Sequence, residues 1–322
     1  MTPFDPLFRN PHVQTIAGHY WPRPEAPVAL ESRLVQTEPG VQVLVQSQQP
    51  GTPAKGHLVM VHGMESSGAA GYIRSLAALA CAHGYAAHRF HMRTCGGTER
   101  LCSTLYHAGL TGDLLAVLRQ LPGPAFLAGF SLGGNLVLKL AGELASAAPE
   151  LIRGLCAVST PLDLAASARR IAEPDNRFYE LRLVRRMRAR LLATGRYTVH
   201  DCAGLHSMIE LDDRITAPSF GFRDAAEYYE TQSSLHFLSG IRVPTLLIQA
   251  QDDNFIPFGI YQSAAVSSNP AIRLLATRHG GHLGFLARGP HRFWADQAIL
   301  QWFAPLTGES ATMHDHPKSH GQ

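Results

Sequence analysis

The sequence predicts an α/β protein with a mostly parallel central sheet and helices on both faces. Through the first half of the chain, short apolar runs alternate with segments of helical periodicity. The alternation stops near residue 163, and two further apolar runs follow residue 239. Because strands that alternate with helices form parallel sheets through crossover connections, we expect one sheet domain interrupted by a helical segment.

Composition supports a compact protein with a large core. The 322 residues are 45% hydrophobic and 16% charged, and the net charge of +3 is too small to indicate a nucleic-acid partner. The five cysteines are irregularly spaced without a C-x-x-C pair, so neither a disulfide framework nor a thiolate zinc site is expected. We see no signal peptide and no apolar run near the about 18 to 20 residues of a membrane span, which favours a cytoplasmic location.

The first half of the chain carries the strand and helix signals in order. The alternating segment 41–48 predicts an edge strand, and the first 55 residues are otherwise mixed and rich in proline. Buried strands are predicted at 56–63, 86–93, 125–130 and 152–160. Helices are predicted within 67–85, 111–121 and 132–145.

The second half divides into a helical insertion and a return to the sheet. Residues 163–238 are mostly helical and rich in arginine, whereas 243–253 and 272–282 contain strands and 291–305 forms a final helix. We therefore predict a core of 1–162 and 239–306, a helical insertion of 163–238 and a polar, disordered tail of 307–322.

A serine lies at the junction between a predicted strand and a predicted helix. The sequence Gly129-Phe-Ser131-Leu-Gly133 matches the G-x-S-x-G nucleophile elbow in its required context. The tight turn leaves no room for large side chains at neighbouring positions, which explains Gly129 and Gly133, and the following helix directs its N-terminus at the reaction site. We interpret Ser131 as a nucleophile; the alternative is a structural turn.

A serine nucleophile needs a base, and the elbow pattern requires an acid and then a histidine later in the chain. Asp252 and Asp253 follow one late strand, and His279 and His282 follow the next. We favour Asp253 because it begins the turn before Pro257, and His282 because two glycines let it reach inward. Asp252 is then a turn cap, and His279 the end of a strand.

Two backbone N–H groups are candidates for an oxyanion hole. The strand that ends in His62-Gly63 places the N–H of Met64 in the loop that usually supplies one donor, and Leu132, directly after the serine, supplies the other. An ordinary strand-ending turn is the alternative for His62-Gly63. No cofactor is required. No metal site is predicted either, because His88 and His91, three apart on a strand, face opposite sides.

These motifs resemble the YheT-like family of α/β-hydrolases, which is related to animal abhydrolase-domain lipases and plant embryogenesis-associated proteins. The resemblance rests on NPHVQT, HGMESS, MRTCGGTE, GFSLGGNLVLKL, QAQDDNFIP and GGHLGF in this order. It implies an α/β-hydrolase fold, a helical lid formed by the insertion, and a Ser131, Asp253, His282 triad. It also implies a carboxylesterase, lipase or phospholipase that acts on small-molecule acyl esters or lipids.

Two alternative functions remain at this point. An acyltransferase would use the same triad with an alcohol in place of water, and a non-catalytic binding protein would use the same scaffold. The arginines of the insertion, among them Arg177, Arg182, Arg185, Arg186 and Arg188, raise the hypothesis of peripheral contact with anionic membrane head groups. The competing interpretation of these arginines is a solvated helix face.

Overall fold

A computed structural model describes residues 2–307 as one eight-stranded sheet covered by helices. The strands, in chain order, are β1 Glu31–Glu38, β2 Val41–Gln48, β3 Gly56–Val61, β4 Tyr85–Phe90, β5 Ala125–Phe130, β6 Ile152–Val158, β7 Thr245–Ala250 and β8 Ile272–Thr277. Their order across the sheet is β1-β2-β4-β3-β5-β6-β7-β8. β1 and β2 are antiparallel to their neighbours, and all the remaining pairs are parallel.

Twelve α-helices connect the strands in the described part of the chain. They are α1 Pro11–Tyr20, α2 Gly71–Ala82, α3 Gly112–Leu118, α4 Leu132–Leu144, α5 Ala148–Leu151, α6 Leu164–Ile171, α7 Arg177–Ala193, α8 Met208–Leu211, α9 Ala217–Ser219, α10 Ala225–Gln232, α11 Ala264–Ser267 and α12 Trp294–Phe303. Short 3₁₀ turns cover Ala145–Ala147, Pro174–Asn176, Ser234–Gly240, Phe258–Gln262 and Ala304–Thr307, and a π-helical turn covers Asp212–Thr216.

The sheet separates two hydrophobic cores because its strands present alternate residues to opposite faces. In β3, Val59 and Val61 belong to one core, which includes α3 and α4. Leu58 and Met60 belong to the other, which includes α2 and α12. This arrangement confirms the predicted fold class of a mostly parallel sheet with helices on both faces.

Two features of the N-terminal region differ from the sequence-based prediction. The strand at 41–48 is present but is not an edge, because β1 pairs along its outer side. The sequence of β1, ESRLVQTE, is polar and largely exposed, so it lacks the apolar alternation that marks a half-buried strand. Helix α1 was not predicted either, although Asn10 caps it through the N–H of Val13 and Pro11 begins it.

The segment between β6 and β7 packs in two parts. From Ile171 to Ile215 its apolar side chains form a separate small core with Leu105. From Ala217 to Ile241 its apolar side chains join the main core instead. No helix of the described residues has the length and apolar character needed to cross a bilayer. The predicted tail from residue 308 onward lies outside the described residues.

Candidate active site

Ser131 occupies a strained turn between β5 and α4. Its φ of +51° lies in a region that residues other than glycine rarely adopt. A Cβ atom on Gly129 would lie 2.4 Å from the carbonyl oxygen of Gly133, and one on Gly133 would lie 2.4 Å from that of Val61. The two glycines are therefore required by close backbone packing, as the nucleophile elbow predicts.

The structure brings Ser131, His282 and Asp253 into one chain of hydrogen bonds. Ser131 Oγ lies 3.0 Å from His282 Nε2, and His282 Nδ1 lies 3.1 Å from both carboxylate oxygens of Asp253. Because a carboxylate only accepts, Nδ1 carries the hydrogen and Nε2 is free to accept from the serine hydroxyl. This is the tautomer that a serine–histidine–aspartate system needs.

Further contacts hold the acid and the imidazole. Asp253 accepts hydrogen bonds from the backbone N–H groups of Phe255 and Ile256 and from the side-chain amide of Gln249. The ring of Phe255 stacks on the imidazole of His282 with centroids 4.4 Å apart. Phe255 and Gln249 therefore support the site; both belong to the QAQDDNFIP motif, which carried the family resemblance but indicated no role for them.

The two alternative residues form a separate pair beside this chain. His279 Nδ1 lies 3.1 Å from Asp252 Oδ2, and the backbone N–H of Gly281 donates to Asp252 Oδ1. Asp252 thus caps the glycine turn after β8, whereas the sequence offered it as a cap of its own turn, and His279 lies beyond the end of β8 at Thr277. Neither of the two lies within hydrogen-bonding distance of Ser131 in the described structure.

The loop after β3 is held by its own buried histidine. His62 Nδ1 lies 2.7 Å from the carbonyl oxygen of Gly63, and His62 Nε2 accepts from the N–H of Met92. The imidazole is neutral because burial lowers the pKa of His62 to about 3. Since peptide bonds are planar and trans, a Gly63 carbonyl that points to His62 directs the N–H of Met64 the opposite way.

This loop also lies directly against the serine. A Cβ atom on Gly63 would come 3.1 Å from the Cβ of Ser131. Met64 and Leu132 both line the cavity into which Ser131 opens. Among residues 2–307, no protein acceptor is hydrogen-bonded to the N–H of either residue. Both predicted oxyanion donors therefore lie beside the nucleophile with their backbone hydrogens available.

Helix α1 supports the loop that carries His282. The N–H of His282 donates to the hydroxyl of Thr15 at 2.8 Å, and that hydroxyl also contacts Asn254 Oδ1 at 2.8 Å. A Cβ on Gly18 would lie 2.6 Å from the Cα of Gly284, so the helix packs directly on the loop. Thr15 belongs to the NPHVQT motif, which carried the family resemblance but indicated no role.

The cavity has a volume of about 510 Å³ and is bounded by α1, the loop after β3, α6, α7 and the π-helical turn. Its apolar wall includes Ile16, Leu164, Ile171, Phe178, Leu183 and Met187. Tyr228 and Tyr229 of α10 line it as well. Ser131 and His282 lie in its wall, so an apolar ligand in the cavity would contact the serine.

Comparison with known proteins gives the family. The model of the alpha/beta hydrolase family matches residues 58–296. The chain belongs to the alpha/beta hydrolase family. Helix α1, which supports His282, lies before the matched region.

Individual relatives agree with the resemblance seen in the sequence motifs. The Escherichia coli protein YheT is 29% identical over 92% of this chain and 90% of its own length. A monoacylglycerol lipase of Saccharomyces cerevisiae is 29% identical over 81% of this chain and 60% of its own length. An esterase of Pyrococcus furiosus shares the fold, with a TM-score of 0.60 at 16% identity over 89% of this chain and 99% of its own. The predicted family and fold are thereby confirmed, and the relatives agree with a carboxylic ester hydrolase.

Proposed function

We propose that this protein is a serine hydrolase of carboxylic acyl esters, with Ser131 as nucleophile, His282 as general base and Asp253 as its acidic partner. The observation that carries the proposal is the unbroken chain of hydrogen bonds from the Ser131 hydroxyl to the Asp253 carboxylate at the wall of an apolar cavity. No cofactor takes part in this chemistry.

In the first half-reaction His282 Nε2 takes the hydroxyl proton as Ser131 Oγ bonds to the acyl carbonyl carbon. Asp253 holds the imidazole in the required tautomer and stabilises the imidazolium. The N–H groups of Met64 and Leu132 donate to the oxyanion. The intermediate collapses when the ester C–O bond breaks, and the departing alcohol receives the proton from His282.

In the second half-reaction water replaces the alcohol. His282 removes a proton from water, the hydroxide oxygen bonds to the acyl carbon, and the C–O bond to Ser131 breaks. The proton returns to Ser131 Oγ, and the carboxylic acid is released. The substrate class follows from the apolar cavity and from relatives such as the yeast monoacylglycerol lipase, which together favour lipid-like acyl esters.

The test is turnover of p-nitrophenyl esters of graded acyl length by the wild type, Ser131→Ala and Ser268→Ala. We expect Ser131→Ala to lose at least about 10³-fold in kcat, since the serine acts as a unit with its base. Ser268, an exposed serine at the end of α11, serves as the matched control and should leave turnover unchanged. Equal turnover by the wild type and Ser131→Ala would refute the proposal.

The same assay separates hydrolysis from acyl transfer. With a simple alcohol added, a hydrolase yields mainly free acid, whereas an acyltransferase yields mainly the new ester. Ser131 is only partly buried at the cavity wall, so water can reach it, and this supports hydrolysis. A binding protein without activity would turn over none of the esters and would not be labelled at Ser131 by a fluorophosphonate.

We also propose that the cavity mouth contacts anionic lipid surfaces. Among the described residues, six of the ten exposed large apolar side chains lie on two helices that border the cavity. They are Val13, Ile16 and Tyr20 on α1, and Phe178, Leu181 and Leu192 on α7. The two helices touch through Arg182, which donates to the hydroxyl of Tyr20 at 2.6 Å. α1 contains no acidic residue and the only one of α7, Glu180, is buried, so the face is apolar and cationic.

Cosedimentation with vesicles tests this surface. The Ser131→Ala protein should bind vesicles that contain phosphatidylglycerol more than vesicles of phosphatidylcholine alone, because arginines are attracted to anionic head groups. Phe178→Ser with Leu181→Ser should weaken that binding, whereas Leu34→Ser on β1, an equally exposed leucine elsewhere, should not. If the protein binds both kinds of vesicle equally and none of the three substitutions changes the binding, the docking surface is refuted.

A further inference from the structure

One ion pair connects the lid helix α7 to the loop that carries Met64. Arg190 donates from Nε and Nη2 to Glu65 Oε1, at 2.9 and 2.7 Å. The side chains of Arg190 and Glu65 are only 10% and 4% exposed. Glu65 directly follows Met64 in the chain, so this contact between lid and core ends one residue from a proposed oxyanion donor.

Tyr106 completes the cluster and holds the Glu65 backbone as well as its side chain. The Tyr106 hydroxyl donates to Glu65 Oε1 at 2.9 Å and accepts from the Glu65 N–H at 3.0 Å. The guanidinium of Arg190 lies over the Tyr106 ring, 4.5 Å from its centroid. A third donor of Arg190, Nη1, bonds to the Thr94 hydroxyl. Arg190 therefore ties α7 to two loops at once.

The Glu65 backbone requires such support. Its φ of +50° is left-handed, a conformation that is unfavourable for a residue with a side chain and persists only where the surroundings enforce it. His62 and Tyr72 hold the other end of the loop, through the carbonyl oxygen and the N–H of Gly63. The Glu65 end of the loop is held by Tyr106 and Arg190. Of the four residues that hold the loop, only Arg190 belongs to the lid.

We propose that Arg190 is a positioning residue for ester cleavage: by holding Glu65 it keeps the Met64 N–H in place, so that α7 must be seated for the oxyanion hole to form. The inference rests on the proposed function. It follows that α7 does more than cover the cavity. Displacement of the helix would free Glu65, relax its strained backbone and move the Met64 N–H away from the oxyanion.

The experiment compares variants in turnover of a short, soluble p-nitrophenyl ester, with active sites counted by stoichiometric fluorophosphonate labelling. Arg190→Lys keeps the charge but cannot place two donors on one carboxylate oxygen. We expect kcat to fall about 3- to 10-fold with KM nearly unchanged, since loss of a whole oxyanion donor costs about 10²- to 10³-fold. Arg223→Gln, an exposed arginine of the same insertion that does not line the cavity, is the matched control and should keep full turnover.

A double variant separates positioning from stability. Arg190→Gln alone leaves the buried Glu65 charge unpaired and so destabilises the fold, whereas apolar residues at both positions often preserve stability. For Glu65→Met with Arg190→Met we expect a melting temperature near that of the wild type, but a kcat per labelled site reduced about 10- to 100-fold.

Each outcome decides whether Arg190 positions the Met64 N–H or only stabilises the fold. If the double variant or Arg190→Lys turns over at the wild-type rate per site, the ion pair is structural only and the inference fails. If the double variant does not fold, Arg190→Lys alone decides. Failure of the proposed function looks different, because Ser131→Ala would then match the wild type. If the wild type cleaves no ester, the rate of fluorophosphonate labelling of Ser131 replaces kcat, since its adduct places an oxygen in the same hole.

Discussion

The hydroxyl of Thr15 accepts a hydrogen bond from the backbone N–H of His282 at 2.8 Å, although 267 positions separate the two residues. The N-terminal helix therefore takes part in holding the imidazole beside Ser131. The Gly18–Gly284 contact brings the helix close enough for this bond, since a side chain at either glycine would push the two backbones apart.

Thr15→Val should lower kcat/KM about 10-fold, because the buried His282 N–H loses its acceptor at a cost of about 1–3 kcal/mol. Thr15→Ser keeps the hydroxyl and should stay within about 2-fold of the wild type. Steady-state kinetics with a short ester measure the difference. A valine variant as active as the serine variant would show that the hydroxyl does not position His282.

Substitution of the neighbouring aspartates should distinguish their roles. Asp253→Asn should lower kcat about 10³- to 10⁴-fold, because an amide at this position favours the wrong imidazole tautomer. Asp252→Asn keeps an oxygen that can accept from Gly281, and it should change kcat only about 2- to 3-fold. The same ester assay measures both. Comparable losses in the two variants would contradict the assignment of Asp253.

Gly133, two residues after Ser131, should not tolerate a methyl group. A Cβ on Gly133 would lie 2.4 Å from Val61 O and 2.5 Å from His62 O, and backbone atoms cannot move aside as a flexible side chain can. We expect Gly133→Ala to destabilise the fold by about 1–3 kcal/mol and to abolish activity. Gly123→Ala, where a Cβ meets open space, is the matched control for thermal unfolding. Equal melting temperatures would contradict the packing argument.

Buried histidines should make the protein sensitive to acid. Burial lowers the pKa of four of them to about 3 or 4, namely His62, His88, His91 and His107. Between about pH 4 and 6.5 the unfolded chain binds their protons and the folded protein does not, so stability falls as pH falls. Burial raises the pKa of Asp212 and Asp296 to about 6, so these two carboxyl groups favour the folded protein as pH falls. They oppose the effect of the four histidines but are fewer in number.

A single variant isolates one of these protons. Each such histidine lowers the free energy of unfolding by about 2 kcal/mol as the pH falls from about 7 to about 5. His88→Gln removes one group that titrates, so its melting temperature should fall less over this range than that of the wild type. Thermal unfolding at the two pH values measures the difference. An identical fall in both proteins would show that His88 is not held neutral in the folded state.

Local sequence patterns predicted the family, the sheet and the candidate residues because each signal occupies a short stretch. The nucleophile elbow needs only a strand, five residues and a helix, and the acid and base follow their own strands. These patterns also favoured Asp253 and His282 over their neighbours, the same pair that the structure brings to Ser131. The weak points were β1 and α1, where polar or mixed composition left no clear periodicity.

Only the tertiary structure decided which distant residues support the site. The sequence by itself determined the elbow, the order of the strands along the chain and the identity of the candidate acid and base, since these depend on neighbours in the chain. The contacts of Thr15 with His282 and of Arg190 with Glu65 join residues 267 and 125 positions apart. No local pattern encodes such pairs, because they arise only when packing brings α1 and α7 over the ends of the strands.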